Sequence, residues 1–207
     1  MNQKAEQSGI AFDQQIAKFV VRGLSRTPIT PNQITLFSIF LGLYVAWLFG
    51  QGGAVANVAA ALFMVTVWLD HVDGELARAT DRTSKFGHYF DHCAAMTNYV
   101  AMFIGAGIGA RAGIFGDFSI VLSIAAGVSI VLIMSVRMYG EGRFGRDAMK
   151  QSPKAGFEVE DTLYIVGPVT WLGFMEYFVV LAGVGAPIFL VYVIFDLFRR
   201  EREGKHL

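Results

Sequence analysis

Between Asp70 and Ala95 the chain reads DHVDGELARATDRTSKFGHYFDHCAA. This stretch carries three aspartates, Asp70, Asp73 and Asp91, and three of the four histidines, between segments apolar enough for lipid. Residues advance by about 100° along a helix. Asp70, Asp73, Gly74 and Ala77 therefore share one helix face, and Ser84, Gly87, Asp91, Ala95 and Asn98 share a face of the next helix. A short polar turn at 81–84 joins the two, so antiparallel helices with three converging carboxylates are expected. Carboxylates withdrawn from water repel one another and are poorly solvated. A divalent cation relieves both penalties, and an all-oxygen set suits Mg²⁺ or Mn²⁺, which accept phosphate oxygens as further ligands. Gly74, Ala77 and Gly87 leave room for a bound group, and Arg78 offers phosphate a planar fork of donors. The chemistry indicated is that of a pyrophosphate site at a membrane edge.

The elements that must position these residues are apolar. Of 207 residues, 54% are hydrophobic and only 16% charged, where a soluble domain carries about 25% charged residues. The mean hydropathy is +0.48. The pattern is that of an all-α, polytopic membrane protein. Six spans are expected, roughly 32–49, 54–80, 85–110, 118–139, 161–181 and 187–198, with a kink near Pro168 and the last span starting at Pro187. Thr30 and Pro31 supply an N-cap and a first-turn proline for the first span. Ahead of it, 12–24 places Ile16, Phe19, Val20 and Leu24 opposite Lys18 and Arg22. This pattern reads as a short amphipathic surface helix, or as a helix packed on the bundle. The whole chain, 1–207, is read as one domain: an N-terminal segment 1–31, a six-helix bundle 32–198 and a tail 199–207. No cleavable signal peptide is expected, because the first apolar run starts only near Ile34.

Net charge is zero, so bulk electrostatics favours no nucleic-acid partner. Arg78, Arg82, Lys85, Arg137, Arg143, Arg146, Arg199 and Arg200 fall on one side of the expected spans, whereas the turns on the other side carry only Arg111. By the positive-inside rule the acidic cluster and both termini face the cytoplasm. Cys93, the single cysteine, excludes an internal disulfide. His71, His88 and His92 are offset from the carboxylates and do not read as a convergent zinc set. Gly105 and Gly109 form a GxxxG that suits a homodimer face or close packing within one bundle. Glu176, inside an apolar run, has no account at this level.

The pattern D-x2-D-G-x2-A-R-x8-G-x3-D-x3-A resembles the motif of the CDP-alcohol phosphotransferase family, whose last fixed position is aspartate. Seven of eight fixed positions are present: Asp70, Asp73, Gly74, Ala77, Arg78, Gly87 and Asp91. The six spans, the TPNQIT opening of the first and the basic segment after the fourth extend the resemblance over most of the chain. It implies an integral membrane enzyme of phospholipid biosynthesis. Such an enzyme moves a substituted phosphate from a CDP-linked donor to a lipid or soluble alcohol acceptor, with release of CMP. It implies two divalent ions, with Asp70, Asp73 and Asp91 as ligands. Asn32, Thr35, Asp70, Gly74, Ala77, Arg78 and Gly87 then bind the CDP part. Arg137, Arg143 and Arg146 suit an anionic acceptor or lipid headgroups.

The departure is Ala95. The family's aspartate there is taken to help hold the second ion and to act as general base, and a methyl group does neither. His92 is the nearest candidate substitute. The alternative is a CDP-donor-binding homologue disabled by nature or by design, in which one ion is held firmly. A metal-ion transporter is the rival of another class, against which stands the lack of inverted repeats.

Overall fold

The computed structural model describes residues 12–145 and 163–202, with side chains described from residue 16 onward. Among the described residues the chain forms α-helices and short 3-10 turns, without strands. The helices are α1 (Phe12–Leu24), α2 (Pro31–Gln51), α3 (Val55–Ala79), α4 (Lys85–Gly109), α5 (Phe118–Phe144), α6 (Val166–Trp171) and α7 (Met175–Arg202). Five of them, α2, α3, α4, α5 and α7, are long and apolar enough to cross a membrane.

Their boundaries follow local chemistry. Pro31 opens α2, and the Thr30 amide donates to Gln33 Oε1 at 2.9 Å, satisfying an orphan N–H of the first turn. α3 ends in a Schellman-type closure, in which the Arg82 amide bonds the Ala77 carbonyl at 2.9 Å. Asp81 takes the left-handed position there with φ 51°, a conformation that aspartate tolerates better than most residues. Ser84 then caps α4 by accepting from the Gly87 amide at 2.9 Å.

α2 and α4 run parallel along a seam of small residues. Asn32 lies near Gly87, Asn98 packs on Gly42, and the carbonyls of Ala46 and Phe49 rest on Gly105 and Gly109. The GxxxG is thus used inside the bundle, where the missing Cβ atoms let two backbones touch. α3 packs chiefly on α2, and its direct contact with α4 is sparse. The two helices meet where Asp70 reaches Asp91, as expected of antiparallel neighbours, while α2 packs closely on both. α5 and α7 pair on the other flank of α4. The core gathers Val45, Phe49, Phe63, Met102, Ala106, Ala126, Val166 and Val179. Phe37, Phe40 and Trp47 of α2 and Leu181, Ile188 and Val191 of α7 point outward, as lipid-facing side chains do.

The C-terminal part differs most from expectation. Pro187 does not start a helix; it lies inside the 28-residue α7. The break falls at Gly173 instead, with φ +78°, where the Phe174 amide turns back to the Val169 carbonyl. A proline inside an apolar helix leaves the carbonyl four residues back without its amide partner, and such prolines are tolerated in membrane helices. That carbonyl belongs to Gly183, which is buried and seated on the backbone of Leu122. α5 also runs further than expected, to Phe144, because nothing in Gly140–Phe144 forbids the helix.

α1 forms over the expected residues but buries a different stripe. Ala17 and Val21, with Leu24, pack on Val72 and Leu76 of α3, while Ile16 and Phe19 remain exposed. The small Ala17 permits the closer approach, so the bulky pair faces outward. Glu176, at the start of α7, accepts the Phe115 amide at 2.9 Å and lies against Gly113. It ties the turn between α4 and α5 to α7, a structural role for a charge in an apolar run.

Candidate active site at one end of the bundle

A cavity of about 540 Å³ opens at the end of the bundle where α3 turns into α4. Its wall is made by Pro31, Asn32 and Thr35 of α2, by Asp73, Gly74, Ala77 and Arg78 of α3, by Arg82, Thr83 and Ser84 of the turn, and by Lys85, Gly87, His88 and Asp91 of α4. Three consecutive helices thus converge on the motif residues. The volume falls within the ~300–1,000 Å³ of small-molecule sites.

Asp73 is buried at 3% exposure and accepts a hydrogen bond from Thr35 Oγ1 at 2.5 Å. It lies within electrostatic reach of Asp91 and Arg78. Asp70 stands behind the wall rather than on it, and its side chain meets that of Asp91 at hydrogen-bond distance. Oδ1 of Asp91 is buried without a hydrogen-bond partner. Among the described residues no three His, Cys, Asp or Glu side chains are gathered tightly enough to hold an ion as they stand. Asp70 pairs with Asp91, while Asp73 and Asp91 lie within electrostatic reach of each other. The all-oxygen donor set and the orphaned Asp91 oxygen nonetheless fit a hard divalent cation, because buried acceptors without partners demand a positive one.

Beside the acids the wall is built to leave space. A Cβ on Gly87 would lie 3.0 Å from Ser84 Oγ and 3.5 Å from Asn32 Oδ1, so glycine keeps the three elements together without filling the cavity. The Arg78 guanidinium folds back over Gly74 and pairs with Glu75 Oε1 at 3.1 Å. Arg82 and Lys85 place two further cations at the mouth. Sequence reading does not single them out as ligands; their place in the turn between two motif halves is the available signal.

Other expected site residues lie apart. Ala95 is buried at 8% exposure within the core cluster and does not border the cavity. His92 is not on the wall either, and its Nε2 lies 3.4 Å from the Met134 carbonyl of α5. His88 does border the cavity. Arg137 of α5 is half-buried, with its guanidinium 5.9 Å from the Phe189 ring centre of α7 and one nitrogen, Nη2, buried without a partner. Arg143 is exposed in the last turn of α5, and Arg146 lies outside the described residues.

A membrane-embedded helical bundle with an acidic, glycine-lined cavity at one end defines a class of integral membrane protein. The chain belongs to the CDP-alcohol phosphatidyltransferase family, whose model matches residues 28–197. It is 31% identical over 86 residues to archaetidylinositol phosphate synthase of Pyrococcus horikoshii, covering 42% of this chain and 45% of that protein. It is 32% identical over 126 residues to a bifunctional IPC transferase and DIPP synthase of Thermococcus kodakarensis, covering 60% of this chain and 28% of that one. These matches span less than half the length of the curated relatives. In fold, the chain is similar to phosphatidylinositol phosphate synthase of Mycobacterium tuberculosis solved with CDP-DAG bound. The TM-score is 0.70 at 20% identity, covering 89% of this chain and 94% of that chain. The same enzyme solved with manganese and citrate gives a TM-score of 0.67 at 19% identity, covering 88% of each chain.

Proposed function

We propose that this protein transfers a substituted phosphate from a CDP-linked donor to an alcohol acceptor with release of CMP, in phospholipid synthesis. The observation that carries the reading is the shared cavity. Asn32, Asp73, Gly74, Ala77, Arg78, Gly87 and Asp91 come from three helices and border one space. Family membership and the CDP-DAG bound in the Mycobacterium tuberculosis enzyme support a CDP-linked donor.

Asp70, Asp73 and Asp91 are the residues that would hold Mg²⁺ or Mn²⁺. They would hold one ion firmly rather than the pair of the family pattern, because Ala95 brings no carboxylate. When bound, such an ion would neutralise the charge of the pyrophosphate and of the departing CMP phosphate. Arg78 adds a fork to the phosphates, and Arg82 and Lys85 draw the anionic nucleotide to the mouth. Gly74, Ala77 and Gly87 let the CDP part approach backbone. Arg137 and Arg143 receive an anionic acceptor, with the orphaned Nη2 of Arg137 as the donor in waiting. The acceptor oxygen bonds to the substituted phosphorus, the P–O bond to CMP breaks, and the alcohol proton leaves to a base.

We place this end of the bundle at the cytoplasm, with both termini, from the Lys and Arg distribution. The exposed Ile16 and Phe19 of α1 rest on the membrane surface. A six-span count and a homodimer belong to the same reading. The seam glycines are used internally, so subunit contact falls to outward-facing surfaces.

Ala95 favours one second reading, a homologue that binds the donor without turnover. The test is CMP release from a CDP-linked lipid by the full chain in proteoliposomes, across soluble and lipid alcohols, together with cytidine nucleotide binding. Release with at least one acceptor supports the transferase. Binding without release supports the second reading. Absence of both overturns the two together.

A further inference from the structure

Family resemblance assigns Thr35 to contact with the CDP part of the donor, but its geometry is that of a residue already engaged. Thr35 is 3% exposed, whereas its neighbour Asn32 is exposed beside Gly87. A threonine hydroxyl has one proton to give. Two acceptors compete for it: the Pro31 carbonyl one turn back at 3.2 Å, and Asp73 Oδ2 on the facing helix at 2.5 Å. A carboxylate acceptor at the shorter distance gives the stronger, charge-assisted bond. The nearby Ser38 hydroxyl is spent on the Thr35 carbonyl at 2.8 Å, within its own helix.

We propose that Thr35 is a positioning residue that acts through Asp73: its hydroxyl pins the carboxylate of α3 from α2 and sets its orientation toward the ion. The threonine suits the task. Branching at Cβ restricts its side chain to few rotamers in a helix, so the hydroxyl is held in place at small entropic cost. Pro31 fixes the first turn of the same helix, so Thr35 sits on a rigid start. Asp73 is 3% exposed, and what it shows of itself faces the cavity, so any replacement donor has to come from the side where the ion belongs. Carboxylates that ligate metals commonly take such an outer hydrogen bond, and its loss weakens metal binding about 10- to 100-fold. The inference rests on the reading of Asp73 as an ion ligand.

The test is direct binding of Mn²⁺ to the purified full chain in detergent, with free Mn²⁺ followed by electron paramagnetic resonance and no turnover required. Thr35→Val removes the donor at nearly constant shape, and Thr35→Ala removes it without a branched side chain, should the valine variant fail to fold. Either is expected to weaken Mn²⁺ binding about 10- to 100-fold. Thr35→Ser keeps the hydroxyl and is expected to bind as the wild type does. In an Asp73→Asn background, Thr35→Val should cause no further loss. Wild-type affinity in the valine and alanine variants overturns the positioning role alone, as does a serine variant as weak as the valine one. A folded wild type that takes up no Mn²⁺ overturns the ion-binding reading itself, and the positioning role with it.

Discussion

Gly105 of α4 rests directly on the backbone carbonyl of Ala46 in α2, so close that a Cβ would enter the oxygen. Neither backbone can retreat without opening the seam at Gly42 and Gly109. Gly105→Ala is therefore expected to cost about 1–3 kcal/mol through overpacking. Thermal unfolding in detergent reads this. If Gly105 served subunit contact instead, the variant would change the oligomer in size-exclusion chromatography and leave the melting point in place.

On the proposed reading, Ala95 stands where the family pattern has an aspartate. Ala95→Asp is expected to raise CMP release by about 10²- to 10⁴-fold, the usual worth of a general base. The site is buried beside the core, so the variant's melting temperature is measured in parallel. Equal rates before and after the change would mean that another group takes the alcohol proton.

Asp91 carries the buried oxygen without a partner, so its charge depends most on a bound cation. Chelation with EDTA is expected to abolish CMP release, with recovery on adding Mg²⁺ or Mn²⁺. Asp91→Asn is expected to weaken Mn²⁺ binding beyond the ~100-fold upper range for outer-layer residues. Calorimetric titration of Mn²⁺ checks the second statement without an activity assay.

Arg78 folds over Gly74 while paired with Glu75. Hydrogen bonds to charged groups contribute about 1.5–3 kcal/mol, so Arg78→Lys, which keeps charge and loses the fork, should raise the donor KM about 10- to 100-fold. Glu75→Gln removes an exposed ion pair worth less than about 1 kcal/mol and should leave the melting point nearly unchanged. Steady-state kinetics with varied donor separates the two.

The acidic motif was legible because helix pitch alone puts Asp70, Asp73 and Gly74 on one face and Gly87 and Asp91 on another. The ends of α2 and α4 were legible for the same local reason: Thr30, Pro31 and Ser84 act within a few residues of themselves. What sequence did not reveal depends on packing. Pro187 signals a helix start locally, yet the surrounding bundle tolerates it inside α7. Ile16 and Phe19 look like a buried stripe, yet Ala17 and Val21 dock because a small residue lets α1 approach α3. The pairing of Asp70 with Asp91, and the commitment of Thr35 to Asp73 across 38 residues, needed the fold. Glu176 needed it too, since its partner Phe115 is 61 residues away.

The backbone contacts between α2 and α4 make two walls of the cavity a single rigid jaw. Asn32 and Gly87 cannot separate unless the contacts at Gly42, Gly105 and Gly109 slide with them. α3 joins this jaw through its packing on α2, the Thr35–Asp73 hydrogen bond and the Asp70–Asp91 pair, rather than through backbone contact with α4. The width of the mouth, and hence the girth of the donor admitted, is set by where the last turns of α3 stand.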